Sequence, residues 1–111
     1  MTDADLFKLL DPVLPDKVFP LVVPQDAPAT SAPWLIFSFY DIDGDVFAGQ
    51  AETMTNIQID VYAKSPDKAS ELLDKAFMAI KVLSPTNVSR KPDYEPDTKL
   101  HRRTLEFQIW N

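Results

Sequence analysis

The chain has 111 residues, 45% of them hydrophobic, 11% aromatic and 25% charged, the balance of a globular protein and not of a disordered tail. That length suits one domain and falls short of two, and so small a chain has little core to spare for a deep pocket, which weighs against an enzyme. Seventeen acidic against eleven basic residues leave a formal charge of −6, which disfavours nucleic acid, whose phosphates demand a clustered basic face.

With no cysteine, disulfides, thiolate zinc sites and thiol catalysis are removed together, in keeping with a reducing cytosol. Met1-Thr2-Asp3-Ala4-Asp5 is acidic where a signal peptide is basic, and no apolar run approaches the roughly 20 residues that span a bilayer. The cytoplasm, with no membrane partner, is the expected setting.

In chain order, Thr2 or Asp3 can cap a short helix carrying Leu6, Phe7, Leu9 and Leu10, which Pro12 and Pro15 then stop. Val18 to Val23 reads as a strand that the missing amide of Pro20 confines to an edge or a bulge. Pro24 to Pro33 reads as a surface loop. Trp34 to Tyr40 is almost continuously apolar and β-favouring, the expected middle of the sheet. In Met54 to Ala63, Ile57, Ile59 and Val61 alternate with Asn56, Gln58, Asp60 and Tyr62, the pattern of a sheet with one wet face. Asp41 to Thr53, between those strands, reads as a long acidic hairpin loop.

Ser65-Pro66-Asp67 supplies a side-chain cap, a proline at the first helical position and an acid facing the positive end of the helix dipole. Ala69, Leu72, Leu73, Ala76, Phe77, Ile80 and Leu83 then form one apolar stripe that must lie on the sheet. Ser84-Pro85 ends this helix. Val88 to Asp97 reads as an irregular strand or loop interrupted by Pro92 and Pro96, and Arg103 to Trp110 as a closing strand with Leu105, Phe107 and Ile109 inward. The expected fold is α+β: a mixed or antiparallel sheet of four to five strands with a short N-terminal helix and one long amphipathic helix on one face.

Site chemistry is thin. The single histidine, His101, reads as a surface residue, and no serine lies in a nucleophile-elbow or phosphate-cradling sequence. Asp41, Asp43, Asp45 and Glu52 fall on positions one, three, five and twelve of a calcium-loop pattern, but Val46 stands where the turn glycine belongs and strands replace the flanking helices. The expected reading is a solvated acidic hairpin tip with no metal or cofactor; a calcium- or ligand-binding module over Asp41 to Glu52 is the alternative. Trp34, Tyr40, Tyr62 and Trp110, at strand ends or on the polar face, are packing residues or anchors for a partner.

The order of a short helix, Val18-Phe19-Pro20, Pro33-Trp34-Leu35-Ile36-Phe37, and Ile57-Gln58-Ile59-Asp60-Val61-Tyr62-Ala63 leading into the Ser65-Pro66 helix start resembles the tail completion, or tail terminator, proteins of long-tailed bacteriophages and prophages. The likeness runs from about Asp5 to Leu83. It implies a non-enzymatic structural subunit that assembles with itself as a ring, commonly of six, caps the tail tube protein and meets the head–tail connector protein; another phage neck or baseplate adaptor is the near alternative. The residues expected to meet partners are Asp41, Asp43, Asp45 and Phe47 in the hairpin loop, Tyr62 and Trp110 on the sheet face, and Arg102 and Arg103 entering the last strand.

Overall fold

The computed structural model describes residues 2–20, 32–43 and 53–110. The first helix, α1 (Asp3–Leu10), begins where Thr2 and Asp5 exchange hydrogen bonds: Asp5 N–H donates to Thr2 Oγ1 at 3.2 Å and Thr2 N–H to Asp5 Oδ2 at 3.0 Å. This reciprocal box satisfies two amides that a helix start leaves without carbonyls. A 3-10 turn over Asp11–Val13 follows, with Pro12 fixing its backbone.

Five strands form one sheet: β1 (Val18–Pro20), β2 (Trp34–Asp43), β3 (Thr53–Ala63), β4 (Thr86–Glu95) and β5 (Leu100–Trp110), in the order β1-β2-β3-β5-β4. β1 pairs with β2 in parallel and every other neighbour pair is antiparallel, so the sheet is mixed. Pro20 lies on the edge strand β1, as its missing amide requires. Residues 21–23 of the expected first strand, and the 24–31 part of the expected proline-bearing loop, lie outside the described residues.

The sequence places β2 in the middle of the sheet, but β3 holds that position, flanked by β2 and β5. The long apolar run of β2 has a different cause. Leu35 and Phe37 enter the core while Trp34, Ile36 and Tyr40 lie on the other face, so the run reflects large side chains on both faces and not central placement.

The principal helix, α2 (Pro66–Ile80), starts at Ser65, whose hydroxyl accepts from Lys68 N–H at 3.1 Å. It buries Ala69, Leu72, Leu73, Ala76 and Ile80, with Phe77 and Leu83 partly buried against the same cluster, as the stripe demands. A 3-10 turn, Lys81–Leu83, and left-handed Ser84 end it. Both helices pack on one face of the sheet, over Leu35, Phe37, Ile57, Ile59, Val61, Leu105, Phe107 and Ile109. No described element crosses the opposite face.

The segment expected to be an irregular strand or loop is a ten-residue strand. β4 runs from Thr86 to Glu95 along the outer edge of β5, and its one irregularity is a register shift between Thr86 and Ser89, where Asn87 takes a positive φ of 50°. Pro92 is accommodated because an edge strand has no ladder partner on its outer side.

Candidate functional site

Residues paired across neighbouring strands share a face, so the register defines the open side of the sheet row by row. One row runs Trp34, Tyr62, Arg102, Asp93; the next but two runs Tyr40, Asn56, Gln108; the last runs Ile42, Met54, Trp110. The aromatic residues singled out from the sequence therefore all lie on this one uncovered face.

Two regions of that face differ. At the hairpin end, Tyr40, Ile42 and Trp110 are 57%, 42% and 58% exposed, an apolar corner with no described element over it. At the other end the Trp34 and Tyr62 rings stack at 5.5 Å between centroids with 27° between planes. Arg102 lies beside Tyr62 and pairs with Asp93 across the β5–β4 ladder. The guanidinium holds its proton more tightly than usual, chiefly because it hydrogen-bonds the Tyr62 side chain; burial opposes this, and Asp60 and Asp93 add attraction. The Asp93 carboxyl is lowered from its ordinary value, first by the Tyr94 N–H that donates to it at 2.8 Å; desolvation opposes this, and Arg102 lowers it further.

Between these regions the face is polar yet well shielded. Asp60, only 8% exposed, accepts from Gln58 Nε2 at 3.0 Å and from Thr104 Oγ1 at 2.5 Å, and Asn56 is 5% exposed. The alternation that reads as a wet face is thus correct in direction. Among the described residues, neighbouring strands and not an overlying layer close around its centre.

The hairpin differs from its expected bounds. The β2–β3 ladder continues through Asp41↔Thr55 and Ile42↔Met54 to Asp43↔Thr53, so Asp41 to Asp43 belong to a strand and not to a loop. Asp41 and Asp43 stand opposite the β-branched Thr55 and Thr53, which favour ladder pairing. Thr55 Oγ1 donates to Asp41 Oδ1 at 2.6 Å. Asp45, Phe47 and Glu52 lie outside the described residues, so the calcium-loop spacing is left with Asp41 and the backbone position of Asp43.

Arg102 and Arg103 do not form the single basic patch that their adjacency suggests. Successive residues of a strand point to opposite faces, so Arg102 lies on the open face while Arg103 turns under α2. There its Nε donates to Ser70 Oγ at 3.3 Å and its Nη1 to the Arg102 carbonyl at 3.2 Å. His101 sits within β5, half-buried, its ring 4.9 Å from that of Tyr94. Sequence reasoning missed a cleft of about 350 Å³ between α2 and β4, lined by Ser70, Leu73, Asp74, Arg90, Lys91, Pro92 and Arg103. The signal was present in Arg90-Lys91, the other basic pair of the chain, but its strand was not legible.

No family model matches the chain, and no curated protein matches it. Among solved structures, a chain from the virion of a native gene transfer agent (GTA) particle is similar in fold, with a TM-score of 0.63 over 95% of this chain and 90% of that one. The likeness is one of fold. At 12% identity the two chains share an architecture along nearly their whole lengths.

Proposed function

We propose that this protein is a structural subunit of a phage-like particle, and specifically a tail completion protein that forms a ring on the tail tube and joins tail to head. The observation that carries this reading is the end-to-end match in fold to a chain of a gene transfer agent virion, which coincides with the order of elements that resembles tail terminators. The architecture suits the role. A rigid helix-backed sheet presents one uncovered face with exposed rings at its corner, the kind of surface on which aromatic anchors drive assembly between chains. In this reading the tail tube protein and the head–tail connector are the partners, and the protein passes from the host cytoplasm into the tail–head junction. No helix of the described residues is long and apolar enough to cross a membrane.

The test is disruption of the gene in the source phage or prophage, with tail length and head attachment scored by electron microscopy. Overlong or headless tails are expected, restored by the wild-type chain supplied in trans. Normal joined particles overturn the reading.

A further inference from the structure

An apolar pocket of about 290 Å³ opens between α1 and the edge strand β1. Pro20 and Phe37, paired across the β1–β2 ladder, form its sheet side, Ala4 and Phe7 its helix side, and Asp3 and Lys8 complete the lining. Leu6 and Leu10 take the core-facing stripe of α1, so Phe7, about 100° round the axis from Leu6, is left 40% exposed at the flank. Among the described residues neither Asp3 nor Lys8 is in an ion pair.

The surface that fits this pocket is on the same chain. α2 buries Ala69, Leu72, Leu73, Ala76 and Ile80, and Met78 stands two residues from both Ala76 and Ile80, about 200° round the helix, so it points away from the sheet. Met78 and Val82, the latter in the 3-10 turn that ends the helix, are 63% and 74% exposed, more than any other large apolar side chain among the described residues. Spaced i, i+4, they form one ridge. Lys81 flanks it, its ammonium 5.3 Å from the Phe77 ring centre and in no ion pair among the described residues. The ridge cannot enter the pocket of its own chain. It points outward from a helix that lies over β3 and β5, whereas the sheet side of the pocket is on β1 and β2.

We infer that the α1–β1 pocket receives the Met78–Val82 ridge of a second copy of this chain. Apolar atoms that each copy leaves in water are buried together, and the charges match when α1 of one copy runs antiparallel to α2 of the next. Asp3 then meets Lys81, and Lys8 meets Asp74, whose carboxylate keeps acceptor capacity beyond its bond to Arg90. The spacings agree: at the rise of a helix, Asp3 and Lys8 are about 8 Å apart along α1, and Asp74 and Lys81 about 10 Å apart along α2. Two different surfaces meet in such a contact, so it is head-to-tail, the type that closes into rings. The inference rests on the ring-forming reading above and assigns it an interface.

Mixed-label NMR on the purified full chain tests it. Equal parts of isotope-labelled and unlabelled protein are combined at about 1 mM, where even a millimolar contact is populated, and NOEs within and between copies are separated. Cross-peaks between copies from the Met78 and Val82 methyls to the Phe7 ring are expected. Met78→Asp and Val82→Asp, both at exposed positions, should each weaken association at least about tenfold with the urea midpoint unchanged. Lys81→Glu should weaken it as well, and Lys81→Glu with Asp3→Lys should restore it. Absence of cross-peaks between copies, or association indifferent to both aspartate variants, overturns the contact. So do cross-peaks that join the pocket to the Tyr40–Ile42–Trp110 corner of another copy, or only to residues 21–31 of the same chain, since each gives the pocket a different occupant. In the particle, normal joined tails from a Met78→Asp chain, where gene disruption gives defective ones, overturn this contact while leaving the tail role intact. Normal tails on disruption overturn the tail role, and the NMR series still judges the pocket.

Discussion

Truncating one isoleucine on each face of the sheet measures whether the protein is one-sided in solution. Ile59 is fully buried under the helices, between Phe37 and Leu105 in the ladder. Ile36 sits on the opposite face, half-buried between Phe19 and Asp60. Ile59→Ala removes core atoms and leaves a cavity that a helix-covered site cannot fill, at a cost of about 2–5 kcal/mol. Ile36→Ala removes atoms that water can replace, at a cost of about 1 kcal/mol. Against a total stability of about 5–15 kcal/mol for a domain of this kind, both variants should fold. Urea unfolding reads the difference directly: with a slope of about 1–3 kcal/mol per molar, a loss of about 3 kcal/mol lowers the midpoint by about 1–3 M, and the Ile36 variant should move about a third as far at unchanged slope. Equal losses would mean that the open face is covered in solution, and the placement of partner-binding rings on it would fall. A loss under about 1 kcal/mol at Ile59 would instead remove α2 from its place on the sheet.

Other outcomes follow from single contacts. Thr2→Ala removes the Oγ1 half of the box that starts α1, leaving the backbone N–H bond to Asp5, and should cost about 0.5–2 kcal/mol by denaturation, while Thr2→Ser keeps both halves. Because the Asp93 carboxyl titrates below the ordinary aspartate range, the unfolded chain takes up its proton first as pH falls. The contribution of Asp93 is therefore present above the unfolded value and lost as pH drops through the folded one. Asp93→Asn should flatten the fall in urea midpoint between about pH 5 and about pH 3 relative to wild type, and an unchanged profile would count against the Tyr94 and Arg102 bonds. Trp110→Ala, at an exposed position, should leave stability within about 0.5 kcal/mol but reduce incorporation of the chain into particles; equal incorporation in a competition with wild type would remove the hairpin-end corner from the interface.

The parts of the fold legible in the sequence are those where burial is one-sided. The α2 stripe, the Ser65 cap and the β3 alternation are each dictated by one wet and one dry face, and all three occur where expected. Strand β4 was illegible for the converse reason: nearly all its residues are exposed, so no apolar period marks it, and Pro92 within it and Pro96 just after it imitate a loop. The sheet order was equally hidden, because inserting β5 between β3 and β4 is a long-range choice with no local signature. The same gap hid the site. Arg102 and Arg103 are neighbours in sequence, but the pleat sends one to the Tyr62–Asp93 row and the other to Ser70, and the cleft becomes visible only once β4 is in place.

Both margins of the sheet carry a proline, Pro20 on β1 and Pro92 on β4. A subunit held free until it is incorporated must survive as a solute at high local concentration, where bare margins invite runaway strand-on-strand stacking between copies. A missing amide at each margin interrupts the template that such stacking would copy. Growth by that route is thereby hindered at both margins, so any contact between copies is left to side chains.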